Sequence, residues 1–322
     1  LDGADAFLDH DVVVDRYGRL YVVFGNYHPF GRVYAYLKYI PVSYTTHWCR
    51  AGVCYERVLP EYSVDSVRNV SGQKWCYDHF YGGSMPYVPR HDVAVHYRGR
   101  EALVRIVRSV GDELERDALE LVTVIADGAS VSVSAFGVTG SILPSIHNPK
   151  ISDIDITVYG CDAASNVVDF LMSSDVVEEL SPEEKELRAR RIARSSRVPL
   201  ELARALYRKW KRFRWRGRLV SLVPVDPSAV RRAPPVRNRG CVVVRGFAEP
   251  RQCTSLYYPA YATLSMGSGE VIVRLYDASF IPVLWEGGEV EVSGLLQESD
   301  EHTYVSVGTA ECRGYVRPLK PF

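Results

Sequence analysis

The residues best suited to chemistry are Gly140-Ser141 and, after an eleven-residue gap, Asp153-Ile154-Asp155-Ile156. On an extended strand, positions i and i+2 face one side, so Asp153 and Asp155 present paired carboxylates while Ile154 and Ile156 turn into a core. Two carboxylates so close repel unless a cation lies between them. Hard oxygen ligands favour Mg²⁺ or Mn²⁺, and two such ions roughly 3.5–4 Å apart form a clamp for in-line phosphoryl or nucleotidyl transfer. Glycine lets the backbone approach a phosphate, serine offers a hydroxyl, and a short helix starting there would aim free N–H groups at the anion. Gly140 and Ser141 are therefore the candidate phosphate cradle. Asp153 and Asp155 are the candidate metal ligands and catalytic carboxylates.

Residues 139–156 resemble, in order and spacing, the signature of the DNA polymerase β-type nucleotidyltransferase superfamily: a hydrophobic residue, Gly, Gly or Ser, a gap, then two acids separated by one hydrophobic. Thr139 stands in the hydrophobic place. Asn26-Tyr27-His28-Pro29, Leu37-Lys38-Tyr39-Ile40-Pro41 and Gly137-Val138-Thr139-Gly140-Ser141 further resemble an archaeal group of predicted nucleotidyltransferases with extra sheets around the transferase core. The resemblance implies a third acid, inward on a later strand, that helps hold one metal and takes the proton from the attacking hydroxyl. The candidate strand is Arg218–Asp226. Alternation puts Ser221 at the acid's place and Asp226 at the strand's end on the opposite parity. Asp226 joins the catalytic set if a bulge swings it in; otherwise the site works with two carboxylates, or has lost catalysis and only binds. The basic residue expected soon after Gly-Ser is missing from Ile142–Asn148, with Lys150 as its substitute.

Residues 188–245 hold 18 Arg or Lys against two acids, Glu201 and Asp226. The formal net charge of zero thus hides +16 there and −16 over the rest. Arg204–Arg218 interleaves Tyr207, Trp210 and Trp215 with cations and reads as a basic helix. Arg208, Lys209 and Arg212 would grip a triphosphate or an RNA backbone, with the aromatics near a base. The competing reading is a solvated helix whose Leu202, Leu206, Trp210 and Phe213 pack on the core and whose cations pair with the acidic remainder.

These residues need elements to position them. Val12–Val14, Leu20–Phe24 and Val33–Ile40 read as strands of an N-terminal sheet, and 44–98 as loop and short elements whose aromatics belong to the core. Apolar residues from Leu103 to Ile125 recur at helical spacing, predicting one helix of about seven turns between Gly99 and Asp127. Strands follow at Val131–Val138 and Ile151–Tyr159, then helices at Asp162–Leu171 and from the Ser181-Pro182-Glu183-Glu184 start. Arg231–Gly240 reads as a linker, and strand-like runs at 241–248, 270–277, 289–296 and 303–309 suggest a small barrel, possible as an oligonucleotide-binding type. The expected class is α+β: an N-terminal β-rich region (1–97), a polymerase β-like core of mixed sheet and flanking helices (98–230), and a C-terminal β-barrel-like domain (240–322).

A length of 322 residues, with 47% apolar and 24% charged, excludes a disordered tail, a collagen-like fibre and a bare coiled coil. The longest uncharged run, Gly128–Pro149, is too broken by Gly, Ser, Asn and Pro for a membrane span, and no secretory leader opens the chain, so a cytoplasmic protein without membrane partners is expected. Three Gln, three Met and Arg well in excess of Lys point to a thermophilic source. Seven cysteines are too sparse for a disulfide scaffold; around His47, Cys49, Cys54, Cys76 and His79, buried thiols, a Cys49–Cys54 bridge and a metal are all open. The function expected is a Mg²⁺- or Mn²⁺-dependent transfer of a nucleoside monophosphate from a nucleoside triphosphate to a hydroxyl acceptor, RNA first. The alternative is an inactive relative that binds RNA or nucleotide without turnover.

Overall fold

Short β-branched and aromatic runs between tight turns build the first hundred residues. The computed structural model describes residues 6–228, 234–267 and 269–320. The N-terminal sheet comprises β1 (Val12–Asp15), β2 (Leu20–Val23), β3 (Arg32–Val42), β4 (Trp48–Arg50), β5 (Val53–Arg57), β6 (Lys74–Asp78), β7 (Gly83–Pro89) and β8 (Val93–Tyr97), with helix α1 (Val64–Arg68) between β5 and β6. Its order is β4-β5-β3-β2-β1-β8, and β7, carrying β6, pairs with the first residues of β3. Segment 44–98 thus holds five strands where loop was expected. They are specified by pairing, β5 and β7 along the long β3, β4 on β5, β6 on β7 and β8 on β1, rather than by their own weak periodicity.

The central layer comprises α2 (Gly99–Arg108), α3 (Glu113–Gly128), β9 (Phe136–Val138), β10 (Ile154–Tyr159), α4 (Cys161–Ser173), α5 (Pro182–Ser196), α6 (Leu200–Ala205), β11 (Arg212–Trp215) and β12 (Arg218–Val225). The sheet order is β11-β12-β10-β9, with β10 and β12 parallel and the other pairs antiparallel. Ile154, Ile156 and Val158 are fully buried under Leu121, Val122 and Ile125 of α3 and Val167 and Leu171 of α4.

Three expectations need correction here. The single long helix is two, because Asp112 caps α3 by accepting from Glu115 N (3.0 Å) while Glu115 reaches back to Gly111 N (2.7 Å). The strand expected at 131–138 is extended only over β9, since Ser132 caps a tight turn through Ser134 N. The basic run Arg204–Arg218 is not a helix: it is the end of α6, a turn, β11 and the start of β12. Arg212-Phe213-Arg214-Trp215 has the two-residue period of a strand, with Phe213 fully buried.

The C-terminal region comprises β13 (Arg237–Ala248), β14 (Ala260–Met266), β15 (Gly269–Leu275), α7 (Ile281–Glu286), β16 (Gly288–Glu298), β17 (Thr303–Val307) and β18 (Tyr315–Pro318). The ring β13-β14-β15-β17-β16 closes through a β13–β16 ladder into a five-stranded barrel, with β15 and β17 parallel and β18 added outside β16. The expected linker is shorter than its sequence suggested: 237–240 already belongs to β13, and 231–233 lie outside the described residues. One face of the barrel docks on the N-terminal sheet. Arg274, fully buried, donates to Phe80 O (2.8 Å) and stacks over Tyr304 and Phe80, while Gln297 donates to Tyr81 O (3.0 Å).

Six of the seven cysteines pair, as Cys49–Cys54, Cys161–Cys253 and Cys241–Cys312, leaving Cys76 free. The Cys49–Cys54 bridge was one of the readings left open by the sequence; the other two pairs, 92 and 71 residues apart, are adjacent only in the fold. Cys161–Cys253 ties the start of α4 to the barrel across 92 residues, a closure that lowers unfolded-state entropy by up to about 4–5 kcal/mol. Reduction is expected to lower the thermal midpoint, as is Cys161→Ser under oxidising conditions, whereas Cys76→Ser should leave it within a degree or so of wild type. Among the described residues, no helix is long and apolar enough to cross a membrane.

Candidate active site

The strands β9 and β10 bring the two halves of the sequence signature together. Ile156 pairs with Val138, so the chain leaving β9 passes directly beside Asp155, and Thr139 N donates to Asp155 O at 2.9 Å. Gly140 then turns with φ +63°, a left-handed conformation that favours glycine. A Cβ built on it would strike the Asp155 carboxylate, lying 3.1 Å from Cγ. Gly140 is thus the floor of the space Asp155 occupies. No helix starts at Ser141; residues 140–145 form a compact turn in which Ser141 O accepts from Ile146 N (3.1 Å).

In the central sheet, Asp155 pairs with Ser221 and Ser221 with Arg212, so three neighbouring strands place these side chains in one row. Arg212 gathers the row. Its Nη2 donates to Asp153 Oδ2 (2.8 Å), its Nη1 lies 3.9 Å from Asp155 Oδ1, and the same Nη1 donates to Ser221 Oγ. Asp153 and Asp155 therefore converge, as i and i+2 positions should, although Asp153 sits one residue before the strand proper. Burial holds the Asp153 carboxyl above the usual carboxylate range, against the pull of Arg212 and with the help of Asp155.

The N-terminal sheet closes the site from one side. Thr139 Oγ1 donates to His10 O (2.7 Å), fixing a backbone at φ +66°, uncommon outside glycine. The His10 ring is held through Nδ1 by Asp9 Oδ2 (2.6 Å), and Asp9 is itself fixed by Gly25 N (2.8 Å). Burial works against protonation of His10, but Asp9 and Asp155 outweigh it and raise its pKa. Lys38 lies buried over the rings of Tyr62 and Tyr39 within electrostatic reach of Asp155. A cavity of about 260 Å³ opens beside His10, walled by the N-terminal sheet, the end of α5 and the barrel.

Arg188 of α5, its pKa pushed down to about 10 by burial and by Arg212 and Arg191, lies within electrostatic reach of Arg212, and Lys211, which donates to Ala278 O, within reach of Arg188. Burial and Arg188 push Lys211 down to about 7, with Asp277 opposing. Between about pH 7 and the ordinary lysine value near 10.4, the unfolded chain binds a proton that the folded chain lacks, so stability rises with pH across that window. Lys211→Met is expected to flatten that rise, as read by denaturant unfolding at pH 7 and pH 9.5.

The other sequence candidates lie elsewhere. Asp226 follows the far end of β12, five residues from Ser221 or roughly 16 Å at about 3.3 Å per residue. The β10–β12 register runs without a bulge, so nothing swings it in. Its backbone O instead accepts from Asn26 (2.7 Å). Lys209 is buried and donates to Ser174 O (2.7 Å), and Arg208 forms a two-bond ion pair with Glu286 of α7. Neither reaches the carboxylates. Lys150 is exposed on the turn before Asp153. Of the basic candidates, Arg212 alone joins the site. His10, Lys38, Arg188 and Lys211 were not singled out from sequence, although Lys38 lies in one of the quoted archaeal-like motifs. No local pattern ties the first forty residues to residue 155.

The cations of the basic stretch are largely matched. Arg190 and Arg204 meet Glu186, Arg214 meets Glu184, Arg216 meets Glu120 and Arg218 meets Asp117 and Glu113. The pairing with the acidic remainder accounts for most of the +16. No family model, no curated protein and no solved structure matches the chain.

Proposed function

We propose that the chain is a nucleotidyltransferase of the polymerase β type, moving a nucleoside monophosphate from a nucleoside triphosphate to a hydroxyl acceptor, RNA first. The observation that carries the reading is the meeting of Asp153 and Asp155 above the Gly140 turn, with Arg212 bonded beside them and Arg188 within electrostatic reach of Arg212. Two carboxylates fit one Mg²⁺ or Mn²⁺ shared with a nucleotide's phosphates, and do not fit a pair of ions held by three carboxylates. Among the described residues, no three metal-ligating side chains cluster. A divalent ion between Asp153 and Asp155 supplies positive charge to the α-phosphoryl oxygens.

The chain's own groups account for the rest. With Asp153 and Asp155 holding such an ion, Arg212, Arg188 and Lys211 would be the cations to bind the β- and γ-phosphates. With Ser221 in the third acid's place, the proton acceptor is His10: its Nδ1–H is committed to Asp9, leaving Nε2 to take the hydroxyl proton. The acceptor oxygen bonds the α-phosphorus as the bond to the β-phosphate's bridging oxygen breaks, and pyrophosphate leaves.

Incubation with each labelled triphosphate, Mg²⁺ or Mn²⁺ and an RNA pool should give label incorporation by wild type. The rate should rise with pH through a His10 pKa above its usual value, a rise that His10→Gln removes. Absence of incorporation under every condition would end the proposal. One observation favours a second reading, binding without turnover. Arg212 already neutralises both carboxylates, so an inactive relative would bind nucleotide with equal affinity in the presence and absence of divalent ion.

A further inference from the structure

Beyond the carboxylates, the cavity beside His10 has a chemistry of its own. Its walls carry aromatic rings from three directions: Tyr36 and Trp75 from the N-terminal sheet, Tyr62 from the loop before α1, and Tyr258 and Tyr276 from the barrel. Tyr36 and Tyr258 share a hydrogen bond (3.2 Å) and Tyr258 donates on to Tyr276 O (3.1 Å), which holds these rings in place. Ser196, at the end of α5, lines the same space with its hydroxyl buried and without a hydrogen-bond partner among the described residues. Such an orphan hydroxyl points to a polar ligand atom. A volume of about 260 Å³ sits just below the ~300–1,000 Å³ of small-molecule pockets, a size for one nucleoside.

The rim is cationic. Arg68 and Arg313 line the cavity, and Arg197 and Arg313 both bind the single carboxylate of Asp65, Arg197 at 2.9 Å. The three guanidiniums lie close enough that burial, Arg197 and Arg68 together lower the Arg313 pKa despite Asp65. Three arginines thus gather around Asp65 on the wall of an aromatic chamber that His10 also lines, with Glu311 and Asp277 as the acids of the barrel side.

We propose that the cavity holds the 3′-terminal nucleoside of an acceptor RNA, its base among the tyrosines and its ribose hydroxyl toward His10, with Arg68, Arg197 and Arg313 taking the phosphates that lead in. The inference rests on the transferase reading for the word acceptor. A base stacks on aromatics without sequence preference, and three phosphate contacts on a single strand give a log–log salt slope of roughly −2.

The test is made without any triphosphate, so that it is separable from transfer. A 5′-fluorescein decaribonucleotide with a free 3′ hydroxyl is titrated with the full chain by anisotropy, against the same sequence circularised. The linear RNA should bind at least tenfold tighter. Arg68→Glu/Arg197→Glu, two exposed positions, should weaken binding by more than tenfold, and Tyr62→Ala, half-exposed, by about tenfold. Equal affinity for the circle, full affinity in both variants or no binding at all would overturn the proposal. End-selective binding by a protein that never transfers a nucleotide would remove the transferase reading and leave the RNA-end site supported.

Discussion

Asp155→Ala is expected to cut nucleotide incorporation by on the order of 10³-fold, with the fold intact. The carboxylate lies in the row with Ser221 and Arg212, is only partly buried, and contributes nothing to the apolar core beneath it. Its removal leaves Arg212 paired to Asp153 and takes away the side chain nearest the Gly140 turn. The contrast is Asp226→Asn. Among the described residues that side chain accepts from Ser228 N alone (2.8 Å), at the other end of β12, so incorporation should stay within about twofold of wild type. Labelled-product assays on the two variants, with thermal melts as a control, check both. Equal losses would mean that the chemistry does not reside at the Asp155 end of the sheet.

Gly140→Val carries the largest expected cost in stability. A β-branched residue at φ +63° is strained by about 1–2 kcal/mol, and its Cβ would occupy the space of the Asp155 carboxylate, adding about 1–3 kcal/mol of overpacking. The sum, about 2–5 kcal/mol, is a large part of what holds an ordinary domain together. Gly31 is the built-in comparison: its φ is +76°, but nothing lies within 4 Å of a Cβ placed there. Gly31→Val should therefore cost the strain alone. Because the Gly140 clash is with one side chain, Asp155→Ala should partly relieve Gly140→Val in a double-mutant cycle. Strict additivity of the two in urea denaturation would show that the contact does not limit the site.

The placement of the candidate residues was legible in the sequence where the pattern is local. Asp153 and Asp155 follow a two-residue period, Ile154 and Ile156 go under, and Gly140 takes the conformation that only its lack of a side chain makes easy. Ser221 also fell at its expected place opposite Asp155, because parallel register carries parity from one strand to the next. What could not be read was anything supplied from a distance. His10 and Lys38 arrive through a sheet whose strands are specified by one another, and Thr139, bonded to Asp155 O, reaches His10 across 129 residues of chain. Cation count suggests a helix face, whereas Phe213 and Trp210, both buried, fix Arg212–Trp215 as a strand with Arg212 at the carboxylates and Arg214 at Glu184, while Lys209 and Lys211 go to backbone carbonyls. Two of the cysteine pairs, Cys161–Cys253 and Cys241–Cys312, were out of reach for the same reason, whereas Cys49–Cys54, five residues apart, was among the readings the sequence left open.

Arg274 has a bearing on how this protein could be taken apart. Among the described residues its guanidinium has no acid beside it; it rests on the ring of Tyr304 in its own barrel and on the ring and carbonyl of Phe80 from the N-terminal region. Cutting the chain before residue 237 would leave that cation on a bare aromatic surface, and would strip Phe80 and Tyr81 of their cover. The last eighty or so residues are therefore not a detachable module but the other half of a mould. Shuffling them onto another enzyme would carry along an adhesive patch in search of its lost counterpart.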